Sequence, residues 1–281
     1  MDGVEDEVSG YSAVVALSRS CTLTCRTLPP MSSWRVMVVG VLAGLLAGIF
    51  GVGGGILIVP GLMWVLAMEQ RRAHGTSLAA VLPISIAGLI PYLVAGNVQW
   101  VKAAALVAGS LIGAIYGVKV LAVIDKRKLA FGFAALMVLS AARLVWAPAA
   151  GTTRTVEWWG VVVLVGVGAF AGWLAGLLGV GGGIVIVPAL MVIFGVPPVL
   201  AKGTSLAVII PTSIVGTWRN RASRNLDLRV AAVVGMAGVA SAVLGGWLAG
   251  RLPDTASSYL FAVFLVAVAA RLVRTAPKPA R

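Results

Sequence analysis

Acidic side chains are scarce in this chain. Nine Asp and Glu stand among 281 residues, against 22 Lys and Arg. Asp2, Glu5, Asp6 and Glu7 fall at the N-terminus, and Glu69, Asp125, Glu157, Asp227 and Asp254 fall between or at the ends of apolar segments. A carboxylate in mid-segment is a common holder of a proton or cation inside a membrane. Its absence argues against a cation substrate in an acidic pocket. There is one histidine, His74, and there are two cysteines, Cys21 and Cys25. These make no zinc set. No Ser/His/Asp or Cys/His set and no HExxH motif appears, so hydrolytic or redox catalysis has no groups to use. The chain reads as a non-enzyme that needs neither metal nor cofactor.

What is abundant is apolar. Hydrophobic residues make up 60% and charged residues 11% of the chain, where a soluble domain carries about 25% charge. Many runs approach the ~20 apolar residues that a helix needs to span hydrocarbon, and closed helices satisfy their own backbone groups there. The fold class is therefore an all-α polytopic membrane protein in contact with the lipid bilayer. The net charge of +13 sits in short loops, as the positive-inside bias requires. Nucleic-acid binding would need a basic stripe on a soluble face, and none is present.

The chain is duplicated. Gly48–Pro60 (GIFGVGGGILIVP) returns as Gly176–Pro188 (GLLGVGGGIVIVP), ten of thirteen positions being identical at an offset of 128. The register then holds: Gly75-Thr76-Ser77-Leu78 recurs as Gly203-Thr204-Ser205-Leu206, Pro83 as Pro211, Ser85 as Ser213, Gly88 as Gly216, Asn97 as Asn225 and Arg143 as Arg271. Residues 1–33 read as a polar tail, either disordered or an over-long start with Met31 the initiator. Repeat 1 spans 34–147, a linker 148–157, repeat 2 158–273, and a basic tail 274–281. Five hydrophobic elements are expected in each repeat, at 34–50, 56–68, 75–95, 99–122 and 128–147, then 158–178, 184–196, 203–218, 229–249 and 255–273. The second of each is shorter than the ~30 Å of hydrocarbon, which suggests that the first two elements form a Gly-rich broken helix or a hairpin that dips and returns, a full span pair being the alternative. Basic clusters follow elements two and four in repeat 1 (Arg71, Arg72; Lys126, Arg127, Lys128). In repeat 2 they follow element three (Arg219, Arg221, Arg224, Arg229) and the end (Arg271, Arg274, Lys278, Arg281). That switch predicts two inverted-topology repeats, with both termini cytoplasmic and the chain multi-pass in a cell's inner membrane.

Gly40, Gly44 and Gly48, their mates Gly168, Gly172 and Gly176, and Gly109, Gly113 and Gly117 form stripes for close helix packing. Packing within the chain is the main expectation, and a homodimer face is the other use. Trp34, Trp100, Trp158 and Trp159 read as interfacial anchors, and Lys102 and Lys119 as lysines reaching back to the interface.

Candidate binding residues cluster at the repeated motif. Gly53, Gly54 and Gly55, with Gly181, Gly182 and Gly183, break the helix and free backbone N–H groups at the positive end of the helix that follows, an arrangement suited to an anion. Alternatively these glycines merely allow a tight turn. No Gly-Lys-Ser/Thr follows, and Ile56 stands where a dinucleotide fingerprint needs glycine, so nucleotide readings fail. Thr76, Ser77, Thr204 and Ser205 are expected to open a helix, as N-caps or as hydroxyl donors to an oxyanion. His74 and Lys202 are mates that can attract an anion; the plain alternative for His74 is a loop histidine beside Arg71 and Arg72. Pro83 and Pro211 should kink element three.

The duplicated G-x-x-G-x-G-G-G-x-x-x-x-P followed by G-T-S-L resembles the TauE/SafE family of sulfite-exporter-like membrane permeases, from about Trp34 to about Val273. The resemblance implies a transporter of sulfite, an organosulfonate or a related sulfur-containing or small organic anion. A carrier working by alternating access is the leading expectation. A passive anion channel and a non-transporting scaffold or assembly factor are the rivals.

Overall fold

The computed structural model describes residues 33–120, 134–135, 137–142, 145–146, 158–222 and 225–275. Among the described residues these helices follow one another: α1 (Ser33–Phe50), α2 (Gly55–Val65), α3 (Gln70–Val94), α4 (Trp100–Val120), α5 (Trp158–Leu178), α6 (Gly183–Phe194), α7 (Pro198–Ala222), α8 (Leu228–Arg251) and α9 (Asp254–Thr275). The described residues between 134 and 146 are helical too, and there is no strand among the described residues. Residues 1–32, Asp125 to Lys128, Arg143, the linker, Arg224 and 276–281 lie outside the described residues, as do the side chains of Lys119 and Arg271.

The protein is a helical membrane protein. Among the described residues four helices are long and apolar enough to cross a bilayer, within Gln70–Val94, Trp158–Gly176, Pro198–Arg221 and Leu228–Arg251. The second element of each repeat is short, as expected: α2 has 11 residues and α6 has 12, or about 16–18 Å at 1.5 Å per residue. The outside of the bundle is apolar. Trp64, Val94, Trp146 and Trp158 are each more than four-fifths exposed, and Trp34, Trp100 and Trp159 are exposed at helix starts. Large exposed side chains of this kind fit a lipid-facing surface.

The third element of each repeat starts earlier than its sequence suggests, at Gln70 and Pro198 rather than at residues 75 and 203. Arg71, Arg72 and His74 are consequently helical, not in a loop. Thr76-Ser77 and Thr204-Ser205 lie inside α3 and α7 and do not open them. The polar run Gln70–His74 hides the helix start, because periodicity reports apolar faces and not helicity itself.

The two repeats exchange their fourth helices. Gly40, Gly44 and Gly48 on α1 back onto the main chain of α8 at Val234, Gly238 and Ala242. Their mates Gly168 and Gly172 on α5 back onto α4 at Leu106 and Ser110. These partners are themselves 128 residues apart, so contacts are reciprocal, as at a two-fold interface. α8 also lies along α3 of the other repeat, with Gly235 against Pro83 and Gly246 against Gly88 and Pro91. Gly40, Gly44, Gly48, Gly109, Gly113, Gly168 and Gly172 are thus used within the chain, whereas Gly176 faces open space. The core divides accordingly. One cluster joins Ala43 and Ala47 (α1), Ile58 and Leu62 (α2), Ile84 (α3) and Val234 and Ala242 (α8). The other joins Leu106 (α4), Leu164 and Leu174 (α5), Val187 and Leu190 (α6) and Phe261 and Leu265 (α9), with Phe50 and Val52 inserted from repeat 1.

Candidate functional site

Between α1 and α2 the chain makes a tight glycine bend, and it repeats the bend between α5 and α6. Gly51 N donates to Ala47 O at 2.8 Å and Gly179 N to Ala175 O at 3.0 Å, which ends the incoming helices. Gly54 and Gly182 then start the outgoing ones in the left-handed region, at φ 75° and 81°. A residue with a Cβ meets about 1–2 kcal/mol of strain in that region. A methyl placed on Gly54 would also sit 2.6 Å from Ala43 O, and one on Gly182 2.9 Å from Ala171 O. Glycine is therefore required at both positions on two independent grounds.

The two bends touch. A methyl on Gly55 would lie 2.6 Å from Val180 Cα, and one on Gly183 2.8 Å from Val52 Cα. All residues from Gly51 to Gly55 and from Gly179 to Gly183 are buried. The structure thus brings together Gly53, Gly54, Gly55, Gly181, Gly182 and Gly183. It also brings together the starts of α2 and α6, where Leu57 and Ile58 N–H donate to Gly54 O and Val185 and Ile186 N–H to Gly182 O; the N–H groups ahead of these are the ones a helix start leaves without an intrahelical acceptor, at the positive end of the helix dipole.

The G-T-S-L motif ties each repeat to the other. Gly75 and Gly203 give room for the carbonyls of Asn225 and Asn97, which back directly onto them. Thr76 Oγ1 accepts the N–H of Asp227 at 3.1 Å, and Thr204 Oγ1 accepts that of Gln99 at 3.0 Å while donating to Leu200 O. These two hydroxyls hold the chain just ahead of the exchanged fourth helices. Ser77 Oγ donates to Gly179 O at 2.9 Å, fixing the second bend. Its mate Ser205 is fully buried with no protein partner for its hydroxyl. Leu78 reaches Gly216, and Leu206 reaches Gly88.

His74 and Lys202 stand behind the bends. The main chain of Lys202 lies against Gly51 and that of His74 against Gly179. Lys202 is wholly buried. Its Nζ donates to Ser257 Oγ at 2.6 Å and lies 5.9 Å from the Phe50 ring. Lys102, near the start of α4, is buried as well, with Nζ 5.8 Å from the Phe194 ring. The acids behave as their scarcity suggests: Glu69 and Asp227 flank the starts of α3 and α8, Asp254 begins α9, and Asp227 pairs with Arg72 at 2.9 Å.

Sequence reasoning missed Val81 and Ile209. These mates each lie against both Gly53 and Gly181 and close over the joined bends. An aliphatic residue in an apolar helix gives no signal of such a place. Ser85 and Ser213 were visible only as a recurrence, and Ser257 not at all.

A family model described as "Sulfite exporter TauE/SafE" matches residues 9–144 and 164–281. The chain is 27% identical over 246 residues to the "Probable membrane transporter protein YunE" of Bacillus subtilis, covering 79% of this chain and 87% of that one. It is 30% identical over 244 residues to a "Probable membrane transporter protein" of Xylella fastidiosa strain 9a5c, covering 82% and 90%. A "Probable membrane transporter protein" of Haemophilus influenzae shares 37% identity over 119 residues, 40% of this chain and 45% of that one. No solved structure matches significantly.

Proposed function

We propose, because the chain belongs to the sulfite exporter TauE/SafE family, that it carries a small oxyanion across a cell's inner membrane by alternating access. The substrate class is sulfite, an organosulfonate or a related sulfur-containing or organic anion. The two repeats lie inverted in the bilayer, with both termini cytoplasmic.

The observation that carries this reading is the contact between the two glycine bends. Two helix N-termini aimed at one buried place form an electrostatic site for negative charge without any fixed cation. Lys202, buried behind the first bend without a carboxylate in salt-bridge contact among the described residues, adds positive charge. Of the hydroxyls expected to serve the anion, Thr76, Thr204 and Ser77 have structural partners and Ser205 stays available. The closed Val81–Ile209 pair is one end of the cycle, and parting it gives access to the amides.

The test is flux into proteoliposomes with radiolabelled sulfite and methanesulfonate. A carrier saturates and shows counterflow. Linear flux without counterflow would identify a channel, and no anion flux in either direction would leave a scaffold. Gly182→Leu should transport nothing, part of the loss coming from strain in the bend itself.

A further inference from the structure

Four buried hydroxyls among the described residues have no protein partner: Ser85, Ser205, Ser213 and Thr217. All four lie on α3 or α7. Other buried hydroxyls on these and neighbouring helices take a local acceptor. Thr212 donates to Val208 O, Ser110 to Val107 O and Ser241 to Gly238 O. The same back-bond is the ordinary fate of serine inside a helix. Ser85 and Ser213 do not make it, and they occupy the same place in the two repeats. A buried hydroxyl left unbonded costs about 1–3 kcal/mol, and unsatisfied groups of this kind call for an explanation.

Their register supplies one. Residues four apart share a helix face. On α3 that face carries Ser77, Val81 and Ser85; on α7 it carries Ser205, Ile209, Ser213 and Thr217. Ser77 bonds the second bend, and Val81 and Ile209 lie against both bends. The hydroxyl-bearing faces are therefore the ones turned to the joined glycines. Ser85 is one turn, about 6 Å, past Val81 on its own helix, and Ser213 one turn past Ile209. α3 and α7 run antiparallel, since Leu206 reaches Gly88 while Leu78 reaches Gly216. Ser85 then stands near the level of Ile209, and Ser213 near the level of Val81.

We propose that Ser85 and Ser213, with Ser205 and Thr217, are the neutral half of the anion site: a ladder of hydroxyl donors that takes the oxygen atoms of the oxyanion as the Val81–Ile209 pair parts. This rests on the anion-carrier reading above and assigns it residues outside the glycine motif. The ladder suits an anion and not a coupling cation, because two positive helix ends lie at the joined bends that it faces. Neutral donors bind an oxyanion through hydrogen bonds alone, which is weak enough to allow release to either side.

The experiment is thermal unfolding of the full-length purified protein with sodium or potassium methanesulfonate and sulfite, paired with proteoliposome flux. The Ser85→Ala/Ser213→Ala double variant loses two unbonded buried hydroxyls, so without anion its Tm should equal or exceed that of the wild type. The half-saturating anion concentration should rise about tenfold or more, the effect of losing one good hydrogen bond. Ser241→Ala, whose hydroxyl has a local acceptor, should leave that concentration unchanged. A double variant that is more stable and binds and transports the anion as the wild type does would overturn the proposal. So would a sodium-dependent shift that the double variant abolishes, which would make these hydroxyls cation ligands. If the wild type itself shows neither anion-induced shift nor flux, the carrier reading fails, and that result is distinct from a ladder that fails alone. Should the double variant not insert, the single variants Ser85→Ala and Ser213→Ala decide on the same readouts.

Discussion

Lys202 donates its Nζ hydrogen to Ser257 Oγ at 2.6 Å, with both side chains wholly buried. A hydroxyl is a weak counterpart for an ammonium group, whose removal from water costs several kcal/mol. Lys202→Met keeps the length and removes the charge. The variant should insert and melt at or above the wild-type temperature while anion flux falls about tenfold or more. Normal flux in proteoliposomes would remove Lys202 from the anion's surroundings.

Gly75 and Gly203 test the packing of G-T-S-L. An alanine at either position meets the carbonyl of Asn225 or Asn97 in the other repeat. Overpacking of this kind costs about 1–3 kcal/mol, read as a lower Tm. A methyl on Gly166 in α5 would meet nothing within 4 Å, and Gly166→Ala should be neutral or stabilising by up to about 1 kcal/mol.

Thr76→Val leaves the Asp227 N–H without its acceptor, and Thr204→Val does the same to Gln99. Each should destabilise by about 1–3 kcal/mol, whereas Thr→Ser at either place should preserve stability. Hydrogen exchange at the Asp227 and Gln99 amides reports the loss directly, and exchange unchanged from the wild type would contradict it.

Tyr92 donates its hydroxyl to Gly48 O at 2.7 Å. This satisfies one of the carbonyls that the end of α1 leaves open. Tyr92→Phe should cost about 1 kcal/mol, measured as a Tm decrease without change in the anion's half-saturating concentration. A changed anion affinity would place Tyr92 in the site itself.

The recurrence of Gly48–Pro60 at Gly176–Pro188 carried most of the architecture, because matching bends in matching frames require matching surroundings. The helix ends at Phe50, Val120, Leu178 and Thr275 lie within two residues of the hydrophobic segments read from sequence. The early starts at Gln70 and Pro198 were hidden, since a polar or proline-led first turn carries no apolar stripe. The fourth-helix exchange was hidden as well. Gly109, Gly113, Gly168 and Gly172 announce close packing, but a small residue does not name its partner. Thr76 and Thr204 show the same limit at the site. Their hydroxyls suit a substrate or a neighbouring amide equally, and only coordinates reveal Asp227 and Gln99 in reach.

The fourth-helix exchange also governs how the molecule can be divided. α3 finishes at Val94, yet the helix that covers it begins at Leu228, so the ribosome delivers well over a hundred residues before that groove is filled. A fragment cut in the linker would be left with one bare flank and one stray helix, and two such fragments would have to find each other to become stable. On the carrier reading proposed above, the moving bodies would not be the two sequence repeats, since each would travel with a helix borrowed from the other.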